Sequence, residues 1–238
     1  MPVVAIISPA GRIRADVQLR RVLPDEIAVV EDSLHIKAGT EEELEAAIPR
    51  YEDAIARLAE QKPDLIHPAG APPLLLGYEG ERAVVARWET RYGTPIFTNG
   101  MSQVNALRAL GARKIVALSY FPDALNLRFA RYYEEAGFEI TSVAGIGVPF
   151  REVPQLAPEA VREFIEGELR RNPGADALYL LGPAWPTLDL VDDLEREFAI
   201  PVVHHVPAQS WEMQRRLGLR RPYAGFGRLI SEMPALPL

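Results

Sequence analysis

Short apolar runs alternate along this chain with longer amphipathic stretches, and the alternation predicts its elements. Runs at 3–7, 64–67, 95–98, 114–119, 138–143, 176–181 and 201–204 have the length and β-rich content of strands. Between them, residues 79–91, 101–110, 123–136, 158–171, 187–198 and 207–217 read as helices. A further helix over 40–58 opens with Thr40 as a cap and Glu43 three residues on, followed by Leu44, Ala47, Ile48, Tyr51, Ile55 and Leu58 at helical spacing. Pro158 stands in the first turn of its helix and Gly137 just past the end of another, where each residue is favoured. Residues 145–156 are the least regular stretch and read as a surface loop. His35, between Leu34 and Ile36, reads as a strand or lid position. Repeated β-α-β units predict an α/β protein whose parallel sheets carry helices on both faces.

The chain also contains a copy of part of itself. Asp64 precedes Gly70 by six residues, and Asp176 precedes Gly182 by six. A helix follows each, then Pro95-Ile96-Phe97-Thr98-Asn99 in one copy and Pro201-Val202-Val203-His204-His205 in the other. Gln103 and Gln209 each lie eight residues after their proline, and both copies finish on Leu-Gly, at Leu110-Gly111 and Leu217-Gly218. Two similar α/β/α halves related by a pseudo-twofold axis follow, with boundaries near 1–98 plus 206–238 for the first and 99–205 for the second. Ligands in open α/β sheets bind beyond the carboxyl ends of strands, so the site is expected between the halves, where Gly70 would face Gly182.

Composition narrows the chemistry. Of 238 residues none is cysteine and four are histidine, and the net charge is −7. Disulfides, thiolate metal sites and cysteine nucleophiles are excluded. A general nucleic-acid face is disfavoured by the charge. No apolar run approaches the roughly 20 residues that span a bilayer. The first residues read as a strand rather than a signal peptide, which leaves the cytoplasm as the default location. There is no glycine-rich phosphate loop. A metal site is not expected, because the histidines have no helix-type spacing.

Several segments resemble the arylmalonate decarboxylase and maleate isomerase group of the aspartate/glutamate racemase superfamily. They are Asn105-Ala106-Leu107-Arg108-Ala109-Leu110-Gly111-Ala112-Arg113-Lys114-Ile115 and its continuation to Asn126, the stretch from Asp176 to Asp189 with Thr187-Leu188-Asp189, Pro201-Val202-Val203, and Gly225-Phe226-Gly227-Arg228-Leu229. The resemblance implies two pseudo-symmetric halves with the active site between them, no metal or organic cofactor, and a carbanion or enediolate formed beside a carboxylate. It implies a small carboxylate or related carbonyl compound as substrate; from charge and apolar run length no nucleic-acid or membrane partner is expected, and a homo-oligomer is left open. Relatives carry one cysteine per half or a single cysteine in the second half. Those places fall near Ala69 or Gly70 and on Gly182, so both thiols are missing here. The family's hydroxyl-bearing loop becomes Gly70-Ala71-Pro72-Pro73, and Pro72, Pro73 and Pro183 each lack an N–H that an oxyanion would use.

With the thiols gone, histidine is the natural proton carrier near neutral pH. His67 ends the first repeat's strand, and His204 and His205 close the strand after the second repeat's helix. His204 is preferred, since it continues the strand toward the cleft, whereas His205 should face away if the strand runs on. Tyr120, at the place where the family keeps a tyrosine or similar group, is a further catalytic candidate, with Phe121 as the alternative occupant. Asn126 should fix the loop-to-helix junction beside it. Ser8, Pro9, Gly70, Ala71, Pro72, Thr98, Asn99, Gly182, Pro183 and Ala184 are the expected substrate-binding wall. Trp185 is read as pocket wall or core, and Asp189 and Glu79 as first-turn helix residues. The expected function is a cofactor-independent lyase or isomerase; the alternative is a ligand-binding relative or a hydrolase using histidine and water.

Overall fold

Two separate parallel sheets organise the chain. In the computed structural model, which describes residues 1–9, 14–36, 42–43, 46–70, 72–182 and 184–237, the first sheet holds β1 (Val3–Ser8), β2 (Ala28–Ser33) and β3 (Leu65–Pro68) in the order β2-β1-β3. The second holds β4 (Lys114–Ser119), β5 (Glu139–Gly145), β6 (Ala177–Leu180) and β7 (Val202–His204) in the order β5-β4-β6-β7. The described helices are α1 (Arg14–Val22), α2 (Ala47–Ala59), α3 (Tyr78–Tyr92), α4 (Asn99–Ala109), α5 (Asp123–Glu135), α6 (Pro158–Arg171), α7 (Val191–Phe198), α8 (His205–Arg216) and α9 (Arg228–Glu232). None is long and apolar enough to cross a membrane.

The duplication is built into the hydrogen bonding. Asp64 accepts the Val3 N–H at 2.7 Å at the start of the first sheet, and Asp176 accepts the Lys114 N–H at 2.9 Å at the start of the second. Glu89 on α3 accepts the Ile96 N–H at 2.8 Å, and Glu195 on α7 accepts the Val202 N–H at 2.8 Å. The same side chain closes the same helix-to-strand return in both halves, which chance alternation of elements does not produce.

The halves differ at the returning strand. The expected strand at 95–98 is reduced to one bridge, Ile66 to Ile96, where β7 pairs fully with β6 in the other half. The reading of 10–39 from sequence placed no helix or strand before His35, whereas α1 and β2 lie there. β2 is an edge strand and none of its residues is fully buried, so its apolar signal is diluted. His35 itself lies two residues beyond the end of β2, at φ 53°, outside any strand. The expected helix start at Thr40 lies outside the described residues; α2 begins at Ala47. The irregular stretch after Gly145 contains a 3-10 helix, Phe150–Gln155.

α8 ties the molecule together. Residues 205–214 are all buried, and the helix packs on α4 and α1 as well as on β7. Polar side chains line this junction: Gln209 donates to Asn99 at 2.9 Å, and Asn105 donates to the buried carboxylate of Glu212 at 3.1 Å.

Candidate active site

Each sheet delivers a glycine to the space beyond its carboxyl end. Gly70 follows β3 at φ +100° and Gly182 follows β6 at φ +95°, a region that side chains strongly disfavour. Each glycine is also pressed by the residue that leaves the neighbouring inner strand. A Cβ at 70 would lie 2.6 Å from Cγ of Pro9, just after β1. A Cβ at 182 would lie 2.6 Å from Cε1, Cζ and the hydroxyl of Tyr120, just after β4. Pro9 and Tyr120 therefore fill the room that side chains at 70 and 182 would take.

Tyr120 is held firmly. Ser119 donates to Asn126 at 2.6 Å, Asn126 donates to the Phe121 carbonyl at 2.8 Å, and the Phe121 N–H returns to Ser119 at 2.9 Å. Asn126 thus fixes this junction, as expected. The Tyr120 ring lies 4.6 Å from Phe121, 5.7 Å from Phe150 and 6.0 Å from Trp185 between ring centres. Phe121 does not replace it; the two rings are neighbours. Burial pushes the Tyr120 phenol well above its ordinary value, and the nearby backbone of Ala184 moderates the rise. Tyr120, Gly182 and Ala184 are thus brought together.

In the first half, a Cβ at 70 would also lie 3.3 Å from the Tyr51 hydroxyl, which donates to the Ala69 carbonyl. Ser8 is half-buried and bonds weakly to the Asp32 carbonyl at 3.4 Å. Pro72 opens the 3-10 helix Pro72–Leu76. Ala71 and Pro183 lie outside the described residues. Thr98 caps α4 by accepting the Met101 N–H at 3.2 Å. Asn99 begins that helix and is engaged by Gln209, so both are committed to the junction.

The three candidate histidines are wholly enclosed. His67 stacks on Phe97 at 4.2 Å and puts Nδ1 2.9 Å from the Phe97 carbonyl. A carbonyl only accepts, so Nδ1 carries the hydrogen and Nε2 is a bare lone pair. His204 is the cap of α8: Nδ1 accepts the Val206 N–H at 3.2 Å, so Nε2 carries the hydrogen and donates to Thr187 at 3.0 Å. β7 stops at His204, and His205 is the first residue of α8, its ring 4.5 Å from that of His204. The expected strand-like divergence of the pair does not occur, because the backbone turns helical between them. Neither His205 nitrogen has a partner. Burial lowers His67 to about 4 and His204 to about 3, and holds His205 well below its ordinary range, helped by the other two rings. All three are neutral near pH 7. The preference for His204 over His205 does not survive its geometry, since both nitrogens of His204 serve the fold.

Among the described residues no group of three or more histidines, aspartates or glutamates is arranged to hold a metal ion. Asp189 sits on a short 3-10 turn and pairs with Arg21 at 2.5 Å. Sequence reasoning missed Glu81, a fully buried carboxyl on α3. Its signal was present: Glu81 shares one helical face with Val84, Val85 and Trp88.

Comparison with known proteins follows the same lines. A family model described as arylmalonate decarboxylase matches residues 4–230. An arylmalonate decarboxylase from Bordetella bronchiseptica is 27% identical over 240 residues, covering 97% of each chain. A maleate isomerase from Nocardia farcinica is 27% identical over 210 residues, covering 82% of this chain and 80% of its own. A crystal structure of arylmalonate decarboxylase superposes with a TM-score of 0.84 at 23% identity, covering 97% of this chain and 100% of that one. A Nocardia farcinica maleate cis-trans isomerase mutant carrying a covalently bound succinylcysteine intermediate superposes with a TM-score of 0.84 at 22% identity, covering 97% and 98%.

Proposed function

Because the chain belongs to the arylmalonate decarboxylase family, we propose that it is a cofactor-independent lyase or isomerase acting on a small carboxylate or related carbonyl compound, with the Tyr120 phenol as its proton donor. The observation that carries this reading is the position of the Tyr120 hydroxyl, 2.6 Å from where a Cβ at 182 would stand. A proton donor offered from that side reaches the place the resemblance gives to the second-half thiol. The phenol does not need to be acidic to protonate a carbanion; it needs to be aimed and to hold its proton until the carbanion forms. Its raised value meets the second requirement, and the Ser119–Asn126–Phe121 bonds meet the first. In a decarboxylation the C–C bond to the departing carboxylate breaks and its electron pair passes into an enediolate. The phenolic proton then goes to carbon, and water restores the phenol.

The histidine reading is weaker. His204 is fully engaged, and His67 and His205 have essentially no accessible surface through which to meet a substrate. A single donor in one half also suits a one-acid reaction better than a two-base racemisation.

The test is turnover of arylmalonates, maleate and related 2-substituted carboxylates in deuterium oxide, read by proton NMR at the α-carbon. Deuterium should enter at that carbon, and Tyr120→Phe should reduce the rate by roughly 100-fold or more with the fold intact. Unchanged turnover in Tyr120→Phe, or saturable binding with no exchange and no product, would overturn the assignment.

A further inference from the structure

Glu81 is a charge-bearing group placed where a charge is hard to hold. It is fully buried on α3, and no cation is among the groups that act on it. The Tyr132 hydroxyl of α5 donates to one carboxyl oxygen, Oε2, while the buried Oε1 has no hydrogen-bond partner. Gly100, in the first turn of α4, faces the same group. A Cβ there would touch the Tyr132 hydroxyl and lie 2.6 and 2.8 Å from the two carboxyl oxygens. Only glycine lets α4 begin against this pair. The other titratable groups around it are Tyr78 on α3, Tyr133 on α5 and Tyr179 on β6. Arg82 and Arg108 are turned to the Tyr78 hydroxyl instead, at 3.4 and 3.1 Å.

We propose that Glu81 is a protonation-controlled latch that joins α3, α4 and α5 as a neutral acid, and that losing its proton loosens the start of α4, the turn that carries Thr98 and Asn99. As an acid, one oxygen accepts from Tyr132 and the unpartnered oxygen carries the proton, so no bare charge is enclosed. As an anion, it keeps its charge among apolar and phenolic walls, compensated by one hydroxyl, that of Tyr132, and the first turn of a helix. The desolvation prevails: burial raises the carboxyl from 4.5 to about 7, so the change falls near neutrality. The consequence for turnover rests on the function proposed above; the latch itself does not.

The sign follows from linkage. The folded value lies above the unfolded one, so the contribution is complete below pH 4.5 and is lost as the pH rises to about 7. The buried histidines act in the opposite direction, so the measurement is a difference between wild type and Glu81→Gln, which keeps them. The folding constant of wild type relative to Glu81→Gln should fall between pH 4.5 and 8 by at most about 300-fold, the ceiling set by 7 against 4.5. Amide exchange at residues 101–103, corrected for its intrinsic pH dependence, should accelerate above neutrality in wild type and not in Glu81→Gln. Tyr132→Phe removes a donor that favours the anion, so it should move the change to higher pH. The proposal is overturned if wild type and Glu81→Gln share one pH dependence, or if Tyr132→Phe leaves the midpoint in place. Should Glu81→Gln not fold, the direction of the Tyr132→Phe displacement decides alone. Turnover is scored separately, so an inactive protein still tests the latch.

Discussion

The ring of Tyr120 occupies the space that a side chain on Gly182 would need, with Cε1, Cζ and the hydroxyl each 2.6 Å from the position of a Cβ. Pro9 stands in the same relation to Gly70. Each intruding residue leaves the strand adjacent to the one that delivers the glycine, β4 beside β6 and β1 beside β3. The two halves have therefore closed both expected thiol positions by one geometric device, with different side chains.

Restoring a thiol by Gly182→Cys should fail. The backbone at 182 holds φ +95°, and the new Cβ would meet ring carbons as well as the hydroxyl. Strain of this kind costs about 1–3 kcal/mol before the clash is added. Urea unfolding should show that loss, and no turnover beyond that of wild type should be gained from the thiol. Adding Tyr120→Phe should not help, because Cε1 and Cζ remain. Adding Tyr120→Ala should recover part of the stability. A Gly182→Cys protein as stable as wild type would refute this account of the packing.

The two adjacent histidines should separate by stability. His204→Leu removes the cap of α8 and leaves the Thr187 hydroxyl without its imidazole partner, 3.0 Å away in the native protein. Losing a cap costs about 1 kcal/mol and stranding a buried polar group about 1–3. His205→Leu removes a ring whose nitrogens have no partner, so it should change stability by less than about 1 kcal/mol or increase it. Equal losses in denaturant titrations would show that His205 has a structural partner of its own.

The paired helix-to-strand closures offer a comparison within one molecule. Glu89 accepts one backbone N–H, that of Ile96. Glu195 accepts two, from Val202 at 2.8 Å and from Arg228 at 2.7 Å, and so also anchors α9. Glu195→Ala should therefore lose more than Glu89→Ala, by about 1.5–3 kcal/mol, the range for one further hydrogen bond to a charged group. Thermal midpoints in the opposite order would mean that the two closures are not equivalent.

How much of this was legible depended on range. The offsets Asp64–Gly70 and Asp176–Gly182 exposed the duplication, because a repeated local unit repeats its aspartate, its glycine and its return. The α/β alternation was legible for the same reason. Tyr120 was visible as a strand-end residue. Its insertion over Gly182 was not, since that depends on how the Ser119–Asn126–Phe121 bonds turn the chain and on which strand lies beside β4. His204 and His205 misled because a strand pattern runs through them, and only the helix that starts at His205 shows which imidazole caps it. Glu81 was overlooked although a carboxylate on the stripe of Val84, Val85 and Trp88 contradicts binary patterning.

The enclosed histidines set the acid limit of the fold. Burial lowers His67 to about 4 and His204 to about 3, and His205 is lowered well below 6.5. An unfolded chain takes up these protons below about 6.5. The contribution of each neutral ring is therefore complete above pH 6.5 and is lost as the pH falls toward the folded values. Between pH 6 and 4.5 unfolding should take up close to three protons at these sites, partly offset by the one that Glu81 releases there. The slope of the logarithm of the unfolding constant against pH counts the net uptake. His67→Gln removes one titrating ring, so its slope in this window should be smaller by about one proton than that of wild type. An unchanged slope would mean that His67 keeps its proton in the folded protein. In that case its Nε2 would be a donor, and the enclosure that argues against imidazole catalysis would have to be reconsidered.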